Sequence, residues 1–124
     1  VCLVVSGGVT HFLPRAIGLH RAKELIMTGQ RFDGRPALAM GLVNRAVPPA
    51  EVRHVAQALA RSIMAKAPIP TALAKQALEA GVQSDLATAM ALEAAATVTC
   101  SLTEDAREGA RAFVENRSPR YQGR

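Results

Sequence analysis

Apolar residues recur along most of the chain at the three- and four-residue spacing of helices with one buried face. Val52, Val55, Ala56, Leu59, Ala60 and Ile63 fall on one side of a long helix that Pro48 and Pro49 open, with Arg53, Gln57 and Arg61 on the other. Pro68 and Pro70 break that helix, and Leu73, Ala74, Ala77 and Leu78 define the next, stopped by Gly81. Leu86, Ala89, Met90, Ala96, Thr97 and Cys100 carry the pattern through residues 85–101, with Ser84 as the expected cap and Glu93 interrupting the stripe. Thr103 caps a last helix, whose first turn holds Glu104 and Asp105 where the helix dipole favours acids.

The first third reads differently. Val1 to Val5 have the composition of a buried strand, ended by the turn Ser6-Gly7-Gly8. A helix with Pro14 near its first turn then carries Ile17, Ala22, Leu25 and Ile26 as far as Gly29. Asp33 or Gly34 caps a short helix with Pro36 near its start and its end about Gly41, and Leu42 to Val47 are expected as a second short strand. Two lone strands make no stable sheet, so they need partners from elsewhere. The tail from Ser118 to Arg124 is polar and expected to be loosely held. The fold class expected is mainly α.

Composition narrows the chemistry only a little. Hydrophobic residues are 49% of the 124 and aromatics 3%, a palette for helices packed through Ala, Leu, Val, Ile and Met. A net charge of +5 favours a polyanionic partner without choosing a nucleic acid or a phosphate-rich cofactor. The arginines are scattered and no aromatic platform accompanies them, which counts against RNA. Cys2 and Cys100 are too few for a disulfide framework, and Cys100 is expected as a buried thiol in a reducing cytoplasm. The apolar start lacks the charged lead and length of a signal peptide and is too short to span a bilayer. His11, His20 and His54 have no metal-ligand spacing, so no metal site is expected. Glu93 is expected as an interface acid paired with an arginine, and Glu24 and Glu79 as solvated helix residues.

Order and spacing carry more. Gly7-Gly8-Val9-Thr10-His11-Phe12-Leu13-Pro14-Arg15 with Gly18 is followed by Ala22-Lys23-Glu24-Leu25 with Thr28-Gly29, then Gly41-Leu42-Val43-Asn44 and Val47-Pro48. Pro68, Lys75, Asp105, Glu108-Gly109, Ala112-Phe113 and Arg117-Ser118-Pro119 continue the series. Together these words resemble the second half of the enoyl-CoA hydratase/isomerase (crotonase) family.

The resemblance implies a spiral ββα core with a helical C-terminal region. Residues 1–48 would be the end of the core, and residues 49–124 a region for trimerisation and for covering CoA. It implies a lyase acting on acyl-CoA thioesters, adding water to a 2-enoyl-CoA, in a homo-oligomer (trimer or hexamer) or in association with full-length relatives, with no covalently bound cofactor and no membrane. In that chemistry two backbone N–H groups hold the thioester enolate and two glutamates manage the water. The resemblance places none of these four elements in this chain, so no catalytic residue is expected here and the isolated chain is expected to be silent. Ser6 and Gly7 would line the substrate pocket wall. Val5, Ser6, Val9, His11 and Phe12 depart from the family's usual Pro, Gly, Gly, Gln and Arg. For CoA, Phe113 matches the family's aromatic over the adenine, the alternative being a core residue on the Ala106, Ala110, Phe113 stripe. Asn116 replaces its usual lysine, and Arg117 would take over phosphate binding.

Overall fold

The computed structural model describes residues 4–124; Val1, Cys2 and Leu3, and with them most of the expected first strand, lie outside the described residues. The architecture is mainly α, as expected. Among the described residues there are seven α-helices and no strand: α1 Val9–Ile17, α2 Leu19–Thr28, α3 Gly34–Ala39, α4 Val52–Met64, α5 Pro68–Gly81, α6 Leu86–Ser101 and α7 Glu104–Val114. A short 3₁₀ turn, Pro49–Glu51, leads into α4.

Two boundaries differ from the sequence expectation. The single helix expected up to Gly29 is two, divided at Gly18, whose φ of 84° and ψ of 152° lie where a Cβ is scarcely tolerated. Its N–H still donates to the Pro14 carbonyl at 2.9 Å, and its own carbonyl accepts from the Ala22 N–H at 3.1 Å, so the break sacrifices little hydrogen bonding. Because α1 already begins at Val9, Pro14 lies inside it rather than in the first turn. The proline cannot donate to the Thr10 carbonyl, and Thr10 is exposed, so water can take that place.

The second strand expected at Leu42–Val47 is also absent; that segment is turn and irregular chain. At its start the chain closes the end of α3 instead: the Gly41 N–H donates to Leu38 and the Leu42 N–H to Ala37, at 3.0 and 2.9 Å. A ladder would need a partner strand, and none exists among the described residues.

Capping follows short polar side chains. Asp33 accepts from the Arg35 N–H at 3.1 Å and Thr103 from the Ala106 N–H at 3.1 Å, both as expected. At α6 the cap is Asp85 and not Ser84. Asp85 accepts from the Thr88 N–H at 3.0 Å and its hydroxyl at 2.7 Å, while the Ser84 hydroxyl donates back to the Ala80 carbonyl. The Thr88 N–H, and then its hydroxyl, hold the Asp85 carboxyl below its ordinary range.

The chain divides into two compact units, one ending at Arg53 and the other His54–Arg124. In the first, Ile17, Ala22 and Ala37 are buried. In the second, α5 and α6 pack on each other, with Gly81 against Ala89, and Ala112 of α7 is buried.

These small side chains make a thin core. No other helix packs along α4 among the described residues, and its apolar stripe is open, Val52 being 53% and Ile63 49% exposed. In α6 the half-buried members of the stripe are Ala89, Ala96 and Cys100, while Leu86 and Met90 face outward. The chain shows 10012 Å² of accessible surface. A compact monomer of its mass shows about 6,400 Å², and even two separate compact bodies of the two units' lengths show about 7,700 Å² together. The helices therefore carry apolar faces that they do not cover themselves.

Candidate functional site

Polar structure concentrates where the C-terminal strap, residues 117–124, returns along α7. Glu104, Arg107, Glu108 and Arg111 recur at three- and four-residue intervals, which puts them on one face of the helix. Asp105, beside them in the first turn, is only 3% exposed. Its two carboxylate oxygens accept from the backbone N–H groups of Gln122 at 2.7 Å and Gly123 at 2.8 Å. Its own N–H donates to the Arg124 carbonyl at 3.0 Å. The strap is thus clasped from both sides of one residue, and the expectation of a loosely held tail is corrected.

Glu108 makes the second clasp. Its Oε1 accepts from Arg117 Nη1 at 2.6 Å and from the Arg120 N–H at 2.9 Å, and its Oε2 from Arg117 Nη2 at 3.0 Å. Arg117 Nε also meets Glu115 Oε2 at 2.5 Å. The Arg117 guanidinium, followed by the Arg120 N–H, pulls the Glu108 carboxyl down to about 2. Glu108 and Glu115 in turn hold the guanidinium of Arg117 above its ordinary value. Arg124 Nε pairs with Glu104 Oε2 at 2.9 Å. Tyr121 lies against Gly109 and Gly123 against Pro68, close enough that a Cβ on either glycine would crowd its neighbour. Between strap and helix lies an open cleft of about 860 Å³, lined by residues that include Arg107, Arg111, Pro119 and Arg120.

The residues singled out from sequence fall in two places. Ser6 and Gly7 are exposed and precede α1 in the first unit. Phe113, Asn116 and Arg117 stand at the end of α7 in the second. Phe113 is 88% exposed, so it is no core residue of this chain; Ala112 beside it is the buried one. Asn116 has a positive φ of 50° and donates its N–H to the Phe113 carbonyl at 3.2 Å. Arg117 is engaged by two carboxylates, so its fork would have to exchange partners to reach a phosphate.

The other candidates lie apart from this cleft. Glu93 is exposed and makes no ion pair among the described residues. His11 Nδ1 accepts from Arg15 Nη1 at 3.0 Å, and His20 and His54 are exposed. Cys100 is half-buried and unpaired among the described residues, whereas Cys2 lies outside them. No group of side chains able to hold a metal ion, and no single helix long and apolar enough to cross a membrane, occurs among the described residues. Asp105 is the buried acid among them, and both of its oxygens are spent on the strap. Sequence reasoning missed this clasp; the available signal was two carboxylates three residues apart on a helix, followed by an arginine-rich tail.

A sequence model of the Enoyl-CoA hydratase/isomerase family matches residues 2–124. The chain is 43% identical over 125 residues to Enoyl-CoA hydratase domain-containing protein 2, mitochondrial, of Bos taurus, covering 98% of this chain and 42% of that protein. To the short-chain-enoyl-CoA hydratase of Clostridium acetobutylicum it is 41% identical over 110 residues, covering 89% of this chain and 42% of that one. The crystal structure of an enoyl-CoA hydratase from Bacillus anthracis superposes with a TM-score of 0.96 at 40% identity, covering 99% of this chain and 48% of that chain. The chain thus spans a little under half the length of these relatives. A match over all but the first residue, together with a fold shared at this identity, leads to one conclusion: the chain belongs to the enoyl-CoA hydratase/isomerase family.

Proposed function

We propose that these residues serve an enoyl-CoA hydratase-type protein, which adds water to a 2-enoyl-CoA, as the helical region that covers the CoA and docks neighbouring subunits. The catalytic glutamates and the oxyanion-hole amides belong, in this reading, to polypeptide outside this chain. The observation that carries it is Phe113. Its ring is 88% exposed at the end of α7, where the family places an aromatic over the adenine, and a bare phenyl ring in water has everything to gain from a stacking partner. Support for the docking role comes from the open faces of α4 and α6, whose natural cover is a second copy in a trimer or hexamer, or a full-length relative.

Incubating the full chain with crotonyl-CoA and following the conjugated thioester absorbance tests the division of labour, with a full-length hydratase as positive control. No turnover above buffer is expected; turnover well above it overturns the reading. For the CoA contact, titration with a fluorescent adenine-modified CoA compares the chain with F113A. Stacking of a base on an aromatic ring is worth about 1–3 kcal/mol, so binding weakens roughly five- to 150-fold. Equal binding by F113A removes Phe113 from the site.

A second reading, a catalytically silent assembly module, is favoured by one observation: the buried acid, Asp105, is 3% exposed and turns both oxygens to the backbone N–H groups of the strap, away from water. The same crotonyl-CoA assay in the presence of a full-length relative distinguishes a silent module that alters the relative's assembly from one that does nothing.

A further inference from the structure

We propose that the cleft between α7 and the C-terminal strap is a binding site for a small, multiply charged phosphate-class anion, with Arg107, Arg111 and Arg120 as its ligands. The argument starts from which charges are already spent. Of the acids lining the cleft, Glu104 is paired with Arg124, Asp105 with the Gln122 and Gly123 N–H groups, and Glu108 with Arg117 and the Arg120 N–H. Arg117 is itself divided between Glu108 and Glu115. By contrast, Arg107, Arg111 and Arg120 have no carboxylate within ion-pairing distance among the described residues. Arg111 feels Glu108 through space without touching it.

Arg107 and Arg111 are four residues apart on one helical face, an arrangement in which like charges repel and destabilise the helix. An anion seated between them turns that repulsion into attraction. Arg120 lines the cleft from the strap, so the three arginines come from two elements that the Asp105 and Glu108 clasps hold together. A single carboxylate satisfies one such fork. A phosphate or pyrophosphate offers at least three acceptor oxygens and two charges, the complement of several guanidiniums at once. The volume, about 860 Å³, lies in the range of small-ligand pockets.

The site is separate from the CoA contact proposed at Phe113. At about 100° per residue, position 113 lies on nearly the opposite side of α7 from position 111. Arg117, the candidate for the CoA phosphates, also lines the cleft but is held by Glu108 and Glu115, so the ligands proposed here are the three arginines that the acyl-CoA reading does not use.

The experiment is calorimetric titration of the full chain with inorganic pyrophosphate at ionic strength fixed with chloride, beside the double variant R107A/R111A, the single variant R120A, and K75A as a charge control. Lys75 is an exposed cation in α5, paired only with Glu79. Saturable binding is expected, weakened at least ten-fold in R107A/R111A, measurably in R120A, and unchanged in K75A. All four positions are exposed, and alanine favours helix at three of them, so far-ultraviolet circular dichroism is expected to show the fold retained. Absence of saturable binding, wild-type affinity in R107A/R111A, or an equal loss in K75A overturns the proposal, the last by showing diffuse charge attraction instead of a site.

Discussion

Replacing Asp105 by alanine should free the C-terminal strap while leaving the body of α7 in place. The carboxylate is 3% exposed and accepts from two backbone N–H groups, at 2.7 and 2.8 Å, seventeen and eighteen residues further along. A hydrogen bond to a charged acceptor contributes about 1.5–3 kcal/mol net. Once the strap lifts, its N–H groups regain water, so the lower figure applies to each bond, or about 3 kcal/mol for the pair. At about 1.4 kcal/mol per factor of ten, the open state of the strap becomes roughly a hundred-fold more populated. Amide hydrogen exchange reads this directly, through protection at Gln122 and Gly123. A fall of about two orders of magnitude is expected in D105A. D105N keeps one acceptor oxygen and should fall by much less. Unchanged protection at both amides in D105A would refute the clasp.

Glu108 supplies a pH dependence whose sign is fixed by its depressed carboxyl, at about 2 in the folded chain against an ordinary 4.5. Its contribution is complete above about 4.5 and is lost as the pH falls from there through about 2, so protection of the Arg120 N–H should decline across that window and E108Q should remove the part of the decline that Glu108 supplies. T103A removes the oxygen that accepts from the Ala106 N–H and should cost about 1 kcal/mol, seen as fraying of the first turn of α7 in exchange or in a denaturant midpoint. G18A places a Cβ at φ 84° and ψ 152° and should cost about 1–3 kcal/mol, measured as lost protection of the last turn of α1 and the first of α2. A G18A chain as stable as the parent would show that the break between those helices is not enforced by that backbone geometry.

What the sequence made legible follows from how local each interaction is. The ends of α4, α5 and α7 were readable because Pro49, Pro68, Gly81 and Thr103 act on their own neighbourhoods, within three or four residues. Gly18 escapes detection as a break because Ile17, Ala22, Leu25 and Ile26 together stay close to a helical repeat across it, and periodicity is blind to one residue of unusual φ and ψ. Asp85 displaced Ser84 as a cap because two carboxylate oxygens can serve Thr88 twice, whereas the Ser84 hydroxyl is drawn back to Ala80. The residues expected as a strand at 42–47 have the right composition, but a strand is defined by its partner, which composition does not reveal. The clasp was hidden for a similar reason: Asp105 and Gly123 are eighteen residues apart, and backbone N–H groups carry no mark in the sequence. Phe113 was placed by family resemblance; the structure adds its 88% exposure, which rules out a role in the core of this chain.

Sedimentation of the full chain tests most directly whether the open faces of α4 and α6 are surfaces made to be covered. On those faces Val52, Ile63, Leu86 and Met90 are 53%, 49%, 76% and 59% exposed, a run of apolar side chains of the kind that marks an interaction surface. The account predicts association at micromolar concentration, with no stable species at 13.1 kDa. A compact, monodisperse 13.1 kDa particle that persists on dilution and on concentration would contradict it.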